Sequence, residues 1–191
     1  WFPKLEWPHP LPDSQSVCLT LTRRYLRINA PATAHDVAHF FGAKVTTARK
    51  WFAALEAEGE LIGIECGGRK GLRALAGDEK DLQTKPGGTK MWPVRLLPLW
   101  DTLLMSHCDK SWTMPDQSEH PLVWRKAAFV SSVVLSRGRV VGLWKMQRKG
   151  RQLDFELQPL GGWSEKVHRA GFAREIKAVA RHLELECGEI K

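Results

Sequence analysis

The chain has 191 residues, of which 43% are hydrophobic and 26% charged, and its formal net charge is +8. This composition is typical of a folded protein and excludes a disordered tail, and the length allows one large or two small domains. The basic balance favours an anionic partner but does not by itself choose between nucleic acid and a membrane surface. The lack of an apolar run of about 18 residues predicts no transmembrane helix, and we predict no membrane partner.

The chain start and the cysteines do not indicate an exported or metal-binding protein. No signal peptide is recognisable, and the chain starts at Trp1 without a methionine, so we expect a fragment or a processed chain. The four cysteines form no Cys-x-x-Cys pair, which predicts reduced thiols in the cytoplasm, no zinc and no cofactor. His35 and His39 have a spacing that can hold a metal on a helix, but no third ligand accompanies them, so no metal site is predicted.

Two helical patterns open the first half. Asp13 or Ser14 can cap a first helix that ends at Asn29. Its predicted buried positions are Val17, Leu21, Tyr25 and Leu26. Thr33 caps a second helix that Gly42 stops. The predicted inner face of that helix contains Val37, Phe40 and Phe41.

A third helix and a hairpin follow. The helix is predicted from about Lys44 to Glu58, and Ala48, Phe52 and Leu55 are spaced for burial. A strand at residues 61–66, a tight basic loop at 67–71 and a return strand at 72–75 come next. Three helices and a hairpin in this order predict a winged helix-turn-helix domain over residues 14–76.

In a DNA-binding version of this domain the third helix enters the major groove and the hairpin wing lies over phosphates. The candidate contacts are Lys44, Thr46, Thr47 and Lys50 on the helix, and Arg69 and Lys70 on the wing. Against base readout, this half carries only ten basic residues to seven acidic ones through Leu75, and Glu56, Glu58 and Glu60 crowd the helix end. Winged helices also serve as spacers and dimer modules, so phosphate contact through the wing is favoured over base readout.

The polar residues 77–93 predict a linker with one helical turn, and residues 94–191 a second domain. Near its start, Asp101, His107, Asp109 and Lys110 could form an acid–base cluster. No nucleophile is paired with them, so the favoured interpretation is that both aspartates order a turn and Lys110 is solvated. We therefore predict no catalytic residue in this chain.

The segment from Ala128 to Arg151 contains six basic residues and no acidic one, whereas the rest of the chain has 23 basic and 21 acidic residues. Apolar runs on both sides of residues 136–139 predict a β-hairpin, and Gly138 supplies the positive φ that its two-residue turn needs. Basic charge at the end of a stiff finger suits a polyanion, and the alternative is a solvated charged turn. The candidate DNA contacts are Arg137, Arg139, Lys145, Arg148, Lys149 and Arg151.

A third antiparallel strand is predicted where Leu153, Phe155 and Leu157 alternate with polar residues. Ser164 caps a final helix. Its predicted buried stripe is Phe172, Ile176, Val179, Ala180 and Leu183. The predicted fold class is therefore α+β: a winged helix-turn-helix followed by a small antiparallel, barrel-like β unit closed by a C-terminal helix.

Two segments of the second half form a distinctive combination. Residues 96–101 read Leu-Leu-Pro-Leu-Trp-Asp and precede the acidic–basic pair Asp109-Lys110, and the hairpin follows with Val140-Val141-Gly142-Leu143-Trp144. The chain thereby resembles bacterial winged-helix DNA glycosylases of the AlkZ and YcaQ type over most of residues 14–186. It departs from the family hairpin in having Ser136-Arg137 before the glycine and Leu143 before the tryptophan.

The resemblance implies the DNA-binding portion of a repair protein that acts on bulky or crosslinked alkylation damage, with duplex DNA as partner. The family's catalytic signature is glutamine-x-glutamine or glutamine-x-aspartate, in the half that would precede Trp1. No two glutamines lie two apart in this chain, and we interpret the matching triplet Gln152-Leu153-Asp154 as a coincidence. We expect a C-terminal portion that works with an N-terminal half, or a shortened relative without chemistry of its own. Whether the chain belongs to an enzyme stays open, the alternative being a non-catalytic winged-helix DNA-binding or regulatory protein.

Overall fold

A computed structural model describes residues 13–85, 87 and 92–191. The chain divides into two compact units: the first contains the residues up to 84 together with 106–108, and the second contains residues 85–105 and 109–191. The second unit starts within the predicted linker, and residues 106–108 belong to the first unit although they follow that linker. None of the helices in the described ranges is long and apolar enough to cross a membrane.

The first unit has three helices followed by a hairpin and a short fourth helix. The elements are α1 (Ser14–Asn29), α2 (Ala34–Phe41), α3 (Val45–Ala57), β1 (Leu61–Cys66), β2 (Arg69–Leu75) and α4 (Glu79–Gln83). The predicted caps form: the Asp13 carboxylate accepts the backbone N–H of Gln15, and Thr33 forms a reciprocal capping box with Asp36. The loop between β1 and β2 is shorter than predicted, because Gly67 and Gly68 alone make the turn, at φ values of 57° and 74°, and Arg69 already belongs to β2.

The core of the first unit differs in part from the predicted stripes. It is built from Tyr25, Leu26, Ala32, Val37, Ala38, Ala48, Phe52 and Leu75. Val17 and Leu21 are 38% and 39% exposed, and Leu19 and Thr22 are buried in α1 instead. In the N-terminal half of α1, the apolar residues of the helix itself are distributed around its circumference, so their spacing is compatible with more than one buried face. Packing against α3 and β2 selects the face that is buried.

Hydrogen bonds hold residues 106–108 in the first unit. The Tyr25 hydroxyl donates to the Ser106 carbonyl over 2.6 Å, and the Cys108 N–H donates to the Asp36 carboxylate over 2.7 Å. Burial by itself would raise the pKa of Asp36, but hydrogen bonds from Thr33 and Cys108 hold that pKa below its ordinary value. The ionised carboxylate therefore links the start of α2 to this distant segment.

The second unit is a five-stranded sheet in the order β3-β4-β5-β6-β7. Its strands are β3 (Arg95–Leu97), β4 (Val133–Ser136), β5 (Arg139–Lys149), β6 (Gln152–Pro159) and β7 (Glu186–Ile190). The first four are antiparallel, but β7 pairs parallel with β6, so the prediction of a purely antiparallel unit is wrong at this edge. The reason is the crossover through the C-terminal helix, which returns the chain in the same direction as β6.

Helices cover both faces of the sheet. The long helix α7 (Glu165–His182) buries Phe172, Ile176 and Ala180 in a cluster with Trp144 and Phe155. The short helices α5 (Thr102–Met105) and α6 (His120–Val123) contribute to a second cluster, which contains Leu104, Met114, Val123, Val130, Val133, Val140 and Leu160. Of the predicted α7 stripe, Val179 is half-buried and Leu183 is 44% exposed, because the helix ends one residue before it. The α+β class is confirmed.

Candidate nucleic-acid interface

The turn between β4 and β5 presents two arginines. Ser136 pairs with Arg139, and the two residues between them both have positive φ, 49° at Arg137 and 76° at Gly138. Two consecutive positive φ values are typical of the primed turns whose twist matches that of the flanking strands. Arg137 and Arg139 are exposed at this hairpin tip, as predicted from the sequence, and the Arg139 guanidinium also reaches the Ser111 carbonyl at 3.5 Å.

The other predicted cations of this segment lie away from that tip. β5 has 11 residues, and at about 3.3 Å per residue its two ends are roughly 33 Å apart. Arg148 and Lys149 end β5, and Arg151 lies in the turn that leads to β6. The basic segment is therefore not one charged finger, because its charges are divided between the hairpin tip and a distal turn, with Lys145 between them.

Carboxylates on β6 neutralise part of this charge. The Lys149 Nζ lies 2.6 Å from an Asp154 oxygen, and the Lys145 Nζ lies 3.7 Å from a Glu156 oxygen. The hydrogen bond from Lys149 lowers the pKa of Asp154 and raises that of Lys149. The segment has no acidic residue of its own, but the register of β5 with β6 places Lys145 opposite Glu156. The exposed cations at the hairpin tip are thus better placed for an outside anion than Lys145 and Lys149.

The exposed face of α3 carries most of the predicted helix contacts. Lys44, Thr46 and Lys50 are exposed, Thr47 is half-buried, and Arg49 adds a further exposed cation. At the start of β2, Lys70 is exposed and Arg69 half-buried. The structure leaves these side chains on the surface of the first unit, with the helix contacts at the N-terminal half of α3.

The glutamates that crowd the end of α3 have arginine partners. Arg23 lies 2.9 Å from Glu58 and 2.6 Å from Glu60, and Arg73 pairs with Glu56. The hydrogen bond with Arg23 also lowers the pKa of Glu60. Each of these glutamates is therefore compensated locally by an arginine. No local sequence signal indicates these pairs, because Arg23 and Glu60 are 37 residues apart.

The other candidate groups have structural partners. The Asp101 carboxylate accepts the Leu103 N–H and the Asp109 carboxylate the Ser111 N–H, so both order turns as favoured from the sequence. Lys110 is not simply solvated, because its ammonium donates to the Leu104 carbonyl at 3.0 Å and lies 5.3 Å from the Trp124 ring centre.

The two remaining sequence candidates are the triplet Gln152-Leu153-Asp154 and the histidine pair of α2. In the triplet that matches the catalytic variant, the Asp154 carboxylate accepts the Glu189 N–H at 2.9 Å as well as binding Lys149. His35 and His39 are exposed on α2, and in the described part of the chain no three His, Cys, Asp or Glu side chains gather as metal ligands.

Sequence reasoning missed a basic cleft beside the hairpin tip. It has a volume of about 480 Å³, and α7 contributes His168 and Arg174 to its lining while the hairpin contributes Arg137. His168 and Arg174 are more than 30 residues beyond Arg137 in sequence, so no local sequence pattern indicated that the three residues would line one cleft.

Comparisons with known proteins agree with the resemblance of the motifs. A family model described as DNA glycosylase AlkZ-like matches residues 1–182. A Streptomyces sahachiroi protein named interstrand DNA cross-link repair glycosylase is 27% identical over 139 residues, which are 71% of this chain and 36% of that protein. The solved structure of Streptomyces sahachiroi DNA glycosylase AlkZ superposes with a TM-score of 0.76 at 24% identity, over 95% of this chain and 47% of that one.

This chain thus spans less than half the length of either relative, and the structural likeness shows a shared fold. The match to the family model, in contrast, leaves out only the residues after 182. The chain belongs to the AlkZ-like DNA glycosylase family.

Proposed function

We propose that this chain is the DNA-binding portion of a repair glycosylase that acts on bulky or crosslinked alkylation damage. The observation that carries the proposal is the exposed arginine pair at the hairpin tip, with Arg137 in the two-residue turn and Arg139 at the start of β5. The Streptomyces sahachiroi relatives, named as an interstrand DNA cross-link repair glycosylase and as DNA glycosylase AlkZ, support damaged DNA as the substrate. In this proposal the catalytic groups come from a part of the protein outside these 191 residues.

The hairpin is suited to pressing its tip against a DNA duplex, because the strands that carry the tip are held rigidly. β4 and β5 lie inside the five-stranded sheet, and hydrophobic clusters cover both faces of that sheet. A glycosylase has to expose the bond between base and sugar, often by extruding the nucleotide from the helix. A tip that does not bend can transmit the energy of phosphate contacts to the duplex.

We further propose that the first unit acts as a winged helix that binds the DNA backbone. The order of three helices and a hairpin is the order of that fold, with α3 as the recognition helix and the β1–β2 hairpin as the wing. The ion pairs of Arg23 and Arg73 compensate the acidic residues next to α3. Lys44 and Lys50 on α3 and Lys70 on the wing can then contact phosphates.

Salt titration of DNA binding tests the proposal. If about four phosphates are neutralised, the logarithm of the binding constant for a short duplex should fall with the logarithm of salt concentration at a slope of roughly −4. Fluorescence anisotropy of a labelled duplex measures this slope. A slope near zero would contradict backbone binding.

Charge-removing variants locate the contact. Replacing both Arg137 and Arg139 by alanine should weaken binding by roughly 1–2 kcal/mol and reduce the salt slope by about 2. Lys145→Ala/Lys149→Ala is the matched control, because it removes two charges from the same strand that already face carboxylates on β6. It should change binding less.

The pair Lys44→Ala/Lys50→Ala should also have a smaller effect than the tip variant. If the α3 pair abolished binding while the tip pair left it unchanged, the winged helix would be the main contact and the hairpin only a charged turn.

A further inference from the structure

The cleft beside the hairpin tip combines two arginines with a buried histidine. Within the second unit, its lining includes Ser136 and Arg137 from the hairpin, His168 and Arg174 from α7, and Trp92 from the segment before β3. The cleft has a volume of about 480 Å³, which is large enough for a polar group of a ligand that also contacts the hairpin tip. The question is which chemistry these side chains can offer to a ligand.

His168 offers a hydrogen-bond donor without a charge. The residue is only 7% exposed, and its Nδ1 accepts the backbone N–H of Ser164 at 2.9 Å. In the neutral ring the proton must then be on Nε2, which is the nitrogen left for a ligand in the cleft. Burial lowers the pKa of His168, which favours this neutral form. The Trp163 ring, centred 5.2 Å away, supports the imidazole in this orientation.

Arg174 is held in place by its neighbours. Its guanidinium donates to the Val94 carbonyl at 3.3 Å and to the Glu175 carboxylate at 3.2 Å. Glu175 also accepts a hydrogen bond from Arg95 at 3.0 Å, so one carboxylate is shared by two arginines. With Arg137 at the tip, the group of three arginines and one glutamate keeps a positive balance.

We propose that this cleft binds one phosphodiester group of the DNA backbone, held by Arg137, Arg174 and His168. Planar guanidinium groups match the geometry of phosphate oxygens, and a neutral imidazole N–H adds a hydrogen bond without a further charge. This inference rests on the proposed function, since it specifies how the hairpin is anchored on DNA. A phosphate bound at the side of the tip would fix the depth to which the tip enters the duplex.

The two kinds of donor give separate signatures in the salt titration. Arg174→Gln removes a cation and should weaken duplex binding about tenfold and reduce the salt slope by about 1. His168→Leu removes a neutral donor and should weaken binding several-fold with the slope unchanged, because no counterion is involved. His168→Gln keeps an N–H donor and should recover part of the loss.

Arg181→Gln is the matched control. Arg181 is an exposed arginine near the C-terminal end of the same helix and does not line the cleft. It should change neither slope nor affinity by as much as Arg174→Gln. The urea midpoints of all four variants, followed by far-UV circular dichroism, show whether each one is folded.

The outcomes separate this inference from the proposed function. If the wild-type chain binds no duplex, both the proposed function and the phosphate site are refuted. If it binds with the expected slope but Arg174→Gln behaves like Arg181→Gln, or if His168→Leu binds like wild type, the cleft is not the phosphate site. Inorganic phosphate is the other source of the same chemistry. Calorimetry could show that the chain binds inorganic phosphate and that Arg174→Gln abolishes this binding. If Arg174→Gln and Arg181→Gln then bind DNA equally well, the cleft is a site for the free ion and the proposal is overturned.

Discussion

Replacing Gly171 by alanine should destabilise the second unit, although alanine is the better helix former. A Cβ atom at this position of α7 would lie 2.7 Å from both Cβ and Cγ2 of Val94, next to β3. Apolar carbon atoms prefer a separation of about 3.5–4.0 Å, so helix and strand would have to move apart by about 1 Å. Val94 Cβ is attached to the backbone and cannot rotate away.

The magnitude follows from two opposing terms. Gly to Ala inside a helix stabilises by about 1 kcal/mol through propensity. Overpacking a core costs about 1–3 kcal/mol, and two contacts this short place Gly171→Ala at the upper end. Moving α7 outward would also loosen Phe172 and Ile176 from the sheet. The expected net loss is about 2 kcal/mol, since the steric term exceeds the propensity term.

Urea unfolding of the intact chain, followed by tryptophan fluorescence, measures this loss. With a denaturant slope of about 2 kcal/mol per molar, the midpoint should fall by about 1 M. Ala178→Gly is the control for propensity, because Ala178 is exposed on the same helix, and it should lose about 1 kcal/mol. A Gly171→Ala protein that is more stable than wild type by the amount that Ala178→Gly loses would refute the close-approach argument.

Three further predictions concern two substitutions and the activity of the unmodified chain. Asp36→Asn should cost about 1–3 kcal/mol at neutral pH, because it disrupts hydrogen bonds from Thr33 and Cys108. Since folding lowers the pKa of Asp36, this stabilisation is present above the ordinary pKa of 3.8 and is lost as pH falls through the folded-state value, so the difference between variant and wild type in urea midpoint should shrink in acid. Gly188→Ala should lower the urea midpoint, because its Cβ would displace the Asp154 carboxylate from the hydrogen bond that it accepts from the Glu189 N–H, and an unchanged midpoint would be evidence against that contact. The 191-residue chain alone should release no base from an alkylated or crosslinked duplex, because these residues contain no glutamine pair of the family signature, and turnover by these 191 residues in a base-release assay would falsify this.

The hairpin tip could be predicted because its signals are local. A glycine that tolerates positive φ, with apolar runs on both sides, specifies a two-residue turn within about ten residues of chain. The cap of α2 is equally local, since Thr33 and Asp36 are three residues apart. The candidate site could be predicted only as a set of cations. Which of them face carboxylates depends on the pairing of β5 with β6, which is decided when the sheet forms.

The cleft and the arginine partners of Glu56, Glu58 and Glu60 could not be predicted from the sequence for the same reason. Arg137 lines the same cleft as His168 and Arg174 only because α7 lies on the sheet beside β3, where Gly171 permits close approach. Arg23 reaches Glu60 across 37 residues of sequence. Such contacts have no periodicity or spacing that a sequence pattern could display.

By itself the sequence determined the α+β class, the order of three helices and a hairpin, the caps of α1 and α2, the two-residue turn between β4 and β5, and the family. These features depend on backbone preferences and short-range hydrogen bonds, which act between residues a few positions apart. Only the tertiary structure decided which face of α1 is buried, that β7 returns parallel to β6, and which cations stay open to an anion. Those outcomes depend on burial and on the register between distant segments, because several local arrangements have similar energy until packing selects one of them.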